Sequence, residues 1–171
     1  MSASSEMPYF VKPSVNLSPE EKATAYDQAY AAIIATIGDE ADDTMKMATI
    51  NCLLKTFLPY YYWVGFYLVR NGRLVVGPYQ GTLGCLYIDF GRGVCGTVAA
   101  TGRTKIVGNT HALEQGKEHI ACDPNSRSEI VLPVRRADGS LLGVFDVDSS
   151  VEDSFDEIDQ QWLERILSIF G

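Results

Sequence analysis

Residues 60–79 read YYYWVGFYLVRNGRLVVGPY, and this stretch decides the fold. Tyr60 to Arg70 is rich in aromatic and β-branched residues, which suit the pleated, half-buried surface of a strand. Asn71-Gly72 supplies the left-handed backbone that a two-residue hairpin turn demands. Arg73 to Tyr79 is then the return strand. Side chains alternate along a strand, so Tyr61, Trp63, Gly65 and Tyr67 are expected on one face and Tyr62, Val64 and Phe66 on the other. One set must enter the core. The opposite set is either more core or the lining of a small-ligand pocket with Trp and Tyr as hydrogen-bond donors.

Upstream of the hairpin the pattern is helical. Ser18, Pro19 and Glu21 form a capping-box signature for a helix that runs through Ala23 to Ile37 and stops at Gly38. A second helix is expected over Ala41 to Phe57, closed by Pro59. Residues 1–17, with Pro8 and Pro13, read as an irregular arm ahead of one domain spanning 18–171. Downstream, short strands are expected near Leu86 to Ile88 and over Thr104 to Val107. Between them Gly91-Arg92-Gly93 opens a short helix, Val94 to Ala100, which Gly102 ends. Residues 108–127 have no clear period, and so long a loop in a compact domain is usually functional or mobile. Ser128 to Arg135 and Leu141 to Asp148 form a further pair of strands, and Phe155 to Phe170 is an amphipathic helix with Trp162, Ile166 and Ile169 on one stripe. The sum is an α/β chain of the α+β kind. Its mainly antiparallel sheet carries the terminal helices on one face and the short helix and long loop on the other.

Composition narrows the function. The 171 residues are 46% hydrophobic and 21% charged, with a net charge of −8. That acidity argues against general nucleic-acid binding, which needs a basic surface, and against docking on anionic membranes. The N-terminus lacks the pattern of a secretory signal, no run of 18 apolar residues exists, and the first arginine is Arg70, so the cytosol is the default compartment. Cysteines there are normally reduced. Three of the four, Cys85, Cys95 and Cys122, fall close together among glycines, polar residues and charges, where thiols are reachable for redox or nucleophilic chemistry. His119 could lower the pKa of Cys122. Arg92 and a helix N-terminus would favour a thiolate at Cys95, unless it is a small residue buried against the sheet. Cys85 follows Gly84 on a turn. Cys52, among Ile50, Leu53 and Leu54, reads as core. Zinc is disfavoured, since there is no C-x-x-C or H-E-x-x-H spacing. Gly91-Arg92-Gly93 lacks the Lys-Ser/Thr of a phosphate loop.

Acids complete the pattern. Leu142, Val144, Asp146 and Asp148 share one face of their strand, and Glu129, Val131 and Pro133 share one face of its partner. If Glu129 points the same way, three carboxyls meet in a partly apolar pocket. Their pKa values would then rise, and a protonated carboxyl could deliver a proton at neutral pH. Otherwise they are solvated strand-end groups.

Five blocks occur in order: Trp63-Val64-Gly65-Phe66-Tyr67, Gly91 to Thr97, His119 to Asp123, Ser128 to Pro133 and Asp146-Val147-Asp148-Ser149. From about residue 20 onward the chain resembles the free methionine-R-sulfoxide reductases, which are stand-alone GAF domains. The resemblance implies a six-stranded antiparallel sheet between helical layers and commonly a homodimer. It implies thiol-dependent reduction of free L-methionine-R-sulfoxide, recycled by a thioredoxin-like reductant without metal or organic cofactor. Carried over, Cys122 would be the nucleophile, Cys85 the main resolving cysteine and Cys95 an alternative partner. Glu129, Asp146 and Asp148 would bind the substrate ammonium and handle the proton, while Trp63 and Tyr67 would line the pocket. The arm before residue 18 and the segment from Glu114 to Lys117 are less typical of the family. The competing readings are a GAF module that senses a small ligand without chemistry and a thiol redox switch that needs no substrate.

Overall fold

The hairpin at residues 63–80 forms as its turn chemistry requires. Strands β1 (Trp63–Arg70) and β2 (Arg73–Gln80) pair antiparallel down to Arg70 opposite Arg73. Asn71 and Gly72 both take positive φ, 51° and 78°, as the tight turn between right-twisted strands needs. This is a computed structural model, and it describes residues 12–113, 118 and 122–171.

Around the hairpin the remaining strands are β3 (Tyr87–Ile88), β4 (Lys105–Val107), β5 (Ser128–Arg135) and β6 (Leu141–Ser149). They make one sheet in the order β3-β2-β1-β6-β5-β4, antiparallel at every pairing. The helices are α1 (Pro19–Ile37), α2 (Asp43–Phe57), α3 (Gly93–Thr101) and α4 (Glu157–Leu167). The capping box of Ser18 and Glu21 starts α1, and a second one, Asp156 with Asp159, starts α4. A 3-10 turn over Thr110–Ala112 lies in the stretch that showed no period.

Two apolar layers sandwich the sheet. One joins Tyr26, Ile33, Ile50, Leu54, Leu163 and Ile166 of α1, α2 and α4 to Val64, Phe66, Phe145 and Val147 of the sheet. The smaller layer packs Val94, Cys95 and Val98 of α3 against Trp63, Tyr67, Val131 and Val144. The expected division, terminal helices on one face and the short helix on the other, therefore holds. Among the described residues no helix is long and apolar enough to cross a membrane.

Two expectations are corrected. The strand begins at Trp63, not Tyr60, so alternation does not extend back through the tyrosines. Tyr61 packs with Val64 and Phe66, while Tyr62 joins Trp63 and Tyr67, the reverse of the faces expected for that pair. Cys52 is exposed rather than core. The buried stripe of α2 runs through Met47, Ile50, Asn51 and Leu54, at helical spacing, and Cys52 lies off it.

Candidate active site

The period of two along β5 and β6 gathers the acids. Glu129 pairs with Asp148 across the two strands, and Asp148 and Asp146 face Trp63 and Gly65 of β1 on the other side. All three carboxyls therefore emerge on the α3 face, between neighbouring strands, as the pattern allowed. Glu129 and Asp146 are each about 5% exposed. Oxygens of the three lie within 4.8 Å of one another, close enough to hold a hard cation or an ammonium group.

Burial in this apolar layer pushes Glu129 well above the usual carboxylate range, and Asp146 and Asp148 push it further. Burial also raises Asp146 and Asp148, but for each the hydrogen bond from Glu129 works the other way. Glu129 is thus the member whose acid form both its burial and its neighbours favour. Ser126 Oγ donates to Asp148 Oδ1 at 2.6 Å. Asp146 Oδ1 is buried with no hydrogen-bond partner among the described residues, so an acceptor faces the site unsatisfied.

The aromatic wall is built on a glycine. A Cβ at Gly65 would lie 2.7 Å from the Trp63 ring and would collide with Tyr79 Cβ, so only glycine lets the indole lie flat over the strand. Trp63 stacks between Tyr67 and Tyr79, with ring centroids 5.8 Å and 5.1 Å away, and its Nε1 donates to Thr82 O at 2.9 Å. Burial raises the Tyr67 phenol far out of its normal range, with Cys95 and the acids adding to the shift. Trp63, Tyr67 and the acids line a cleft of about 550 Å³, including its open mouth, which Leu83, Arg92, Cys95 and Cys122 complete.

The cysteines divide sharply. Cys85 and Cys122 are joined in a disulfide with Cα atoms 5.6 Å apart, and Cys122 is exposed at the cleft. Cys95 is free and buried in the cleft wall. The expectation that Arg92 and the N-terminus of α3 would favour its thiolate is reversed. Burial raises the Cys95 thiol well above its ordinary value, and Asp146, Glu129 and Asp148 add to that rise. His119 lies outside the described residues, as does the segment from Glu114 to Lys117.

From the sequence no site role is evident for Tyr62, Thr82, Asp123 or Ser126, which form a hydrogen-bonded rim beside the cleft. Asp123 receives hydrogen bonds from Thr82 Oγ1 at 2.6 Å and Tyr62 OH at 2.9 Å on Oδ2, and from the Asn125 amide at 2.8 Å on Oδ1. Its position directly after Cys122 and before Pro124 is a turn signal, but nothing local shows that it reaches Thr82.

The sequence profile of the GAF domain family matches residues 56–171. The chain is 43% identical to protein YtsP of Bacillus subtilis (strain 168) over 147 residues, 85% of this chain and 88% of that protein. It is 37% identical to the free methionine-R-sulfoxide reductase of Escherichia coli (strain K12) over 134 residues, 78% of this chain and 79% of that protein. Among solved structures, free methionine-R-sulfoxide reductase from Neisseria meningitidis in complex with its substrate superposes with a TM-score of 0.81 at 38% identity, covering 94% of this chain and 93% of that one. With the fold, the acid-floored cleft and these relatives in agreement, the chain belongs to the free methionine-R-sulfoxide reductase family of GAF domains.

Proposed function

We propose that the chain reduces free L-methionine-R-sulfoxide to L-methionine, drawing two electrons from the Cys85–Cys122 pair. The observation that carries this reading is the placement of that pair beside a cleft whose floor holds three carboxyls of raised pKa. The relatives named for this reaction support the choice of substrate.

In this reading the ammonium of the substrate sits against Asp146 and Asp148, and its sulfoxide end lies along Trp63 and Tyr67. The Cys122 thiolate attacks the sulfoxide sulfur. Oxygen passes to the cysteine sulfur and takes a proton that Glu129 supplies, so methionine leaves and Cys122 becomes a sulfenic acid. The Cys85 thiolate then attacks Cys122, and hydroxide leaves and is protonated to water as the S–S bond closes. A thioredoxin-like dithiol returns the disulfide to two thiols. Cys95 is the alternative partner, but its burial and raised pKa keep it a thiol at neutral pH and favour Cys85. The same reading extends to a homodimer in the cytosol, with light scattering as the check on assembly.

The test supplies racemic free methionine sulfoxide with dithiothreitol and follows methionine and both epimers. Consumption that stops when the R epimer is gone supports the reductase. No turnover, together with tight binding of another metabolite, would favour a sensor. Peroxide oxidation of the cysteine pair at a rate indifferent to methionine sulfoxide would favour a redox switch. Cys122→Ser is expected to release no methionine in a single turnover, and one full equivalent from that variant would remove Cys122 as the nucleophile.

A further inference from the structure

The two cysteine-bearing loops arise from opposite edges of the sheet. Cys85 lies between β2 and β3, and Cys122 lies between β4 and β5, with β1 and β6 separating those pairs. No strand ladder brings these loops together. We propose that Asp123 is a positioning residue whose carboxylate clasps the two loops to each other and thereby sets how readily Cys85 and Cys122 close their disulfide. The inference rests on the reading that this pair works as a cycling dithiol.

The clasp is specific. Thr82, on the Cys85 loop, donates to Asp123 Oδ2 at 2.6 Å, and Tyr62, from the segment leading into β1, donates to the same oxygen at 2.9 Å. Thr82 is held in turn, because its carbonyl accepts the Trp63 indole N–H at 2.9 Å. On the other side the Asn125 amide fixes Oδ1 at 2.8 Å, and the Ser126 amide donates to Asp123 O at 3.2 Å. Burial alone would push the Asp123 carboxyl up, but the hydrogen bonds from Thr82, Asn125 and Tyr62 outweigh it and leave the pKa below the ordinary value. The group is therefore an anion at neutral pH, and its hydrogen bonds are of the stronger, charge-assisted kind.

None of these bonds involves sulfur, so they are available when both cysteines are thiols. Bringing together the ends of the 37-residue separation costs chain entropy. A clasp that holds the loops in the reduced protein removes much of that cost from the step that forms the S–S bond. Loss of the clasp should leave the disulfide easier to reduce.

The experiment equilibrates the full chain in dithiothreitol redox buffers of set ratio, traps the thiols, and reads the oxidised fraction of Cys85–Cys122 by mass spectrometry. Asp123→Asn and Thr82→Val are each expected to lower the equilibrium constant for the disulfide about tenfold, the scale of one hydrogen bond to a charged group. For a two-electron couple that is a rise of about 30 mV in potential. The double variant should add little to either single one, and Thr82→Ser, which retains the hydroxyl donor, should keep the wild-type potential. Unchanged potentials in both single variants, or fully additive shifts in the double variant, would overturn the clasp. Should Asp123→Asn fail to fold, Thr82→Val against Thr82→Ser still decides. No substrate enters this measurement, so failure of the wild type to reduce methionine sulfoxide would sink the functional reading while the potentials still judged the clasp.

Discussion

Each face of the sheet buries carboxylates, and it treats them in opposite ways. On the side of α1, α2 and α4, Asp159 is fully enclosed and fully partnered. Lys22 Nζ lies 2.7 Å from Oδ2, and the hydroxyls of Tyr26 and Tyr60 each donate to Oδ1 at 2.6 Å. Lys22 also donates to Ser154 O at 2.9 Å. On the α3 side, Glu129, Asp146 and Asp148 face one another without a lysine or arginine ion pair among the described residues, and one oxygen of Asp146 is left unsatisfied. Burial raises the pKa on both faces, but only at Asp159 does a built-in cation pull it back. The difference separates structure from function. Asp159 has its cation built in, so removing Lys22 would strand a buried charge, whereas on the proposed function the three acids of the α3 side take their cation or exchange their proton with the substrate.

The contrast can be broken most forcefully at Glu129. Glu129→Gln is expected to lower kcat/KM for methionine sulfoxide by about 10²–10⁴, the usual worth of a general acid, while leaving a folded protein. A variant with near wild-type kinetics would show that the proton comes from elsewhere. Lys22→Met should do the reverse: it strands Asp159, costing about 3–5 kcal/mol of stability in urea unfolding. A loss under about 1 kcal/mol would mean that the tyrosines suffice without the lysine. Tyr26→Phe removes one donor to Asp159 and leaves the Tyr61 hydroxyl without the partner it has at 2.7 Å, for an expected loss of about 1–3 kcal/mol. A neutral result there would place the weight of the network on Tyr60.

The smallest effect is a pH dependence. An acid whose folded pKa lies above its unfolded value binds more protons when folded, so stability falls as pH rises from near the ordinary value of 4.5 toward the raised one. A glutamine side chain in place of Glu129 does not ionise and carries no such penalty. The Tm of Glu129→Gln should therefore exceed that of the wild type by a margin that widens as pH climbs above about 4.5. A margin that is flat across that range would mean Glu129 is not protonated in the fold.

Much of this was legible before the structure. Asn71-Gly72 and the aromatic run define the hairpin, and the period of two in β6 puts Asp146 and Asp148 on one face, but that Glu129 joins them depends on the register of β5 against β6, which the sequence left open. Local periodicity cannot say when a strand begins, and that is why Tyr61 and Tyr62 exchange faces. The expectation for Cys52 fails because apolar neighbours in sequence are not neighbours around a helix. The Lys22–Asp159 pair spans 137 residues and the Thr82–Asp123 bond spans 41, so neither leaves a local trace. Such contacts exist only once the layers have assembled.

The disulfide between the two sheet edges has a consequence for the lifetime of the protein. Closing a loop of this length restricts the unfolded chain by roughly 4 kcal/mol in the entropic account. On the proposed cycle, oxidation ties the two cysteine-bearing loops together and each reduction releases the tie. Durability then alternates with turnover. An idle, oxidised molecule resists proteolysis and heat better than a reduced one awaiting substrate, and cellular abundance would follow the supply of reductant.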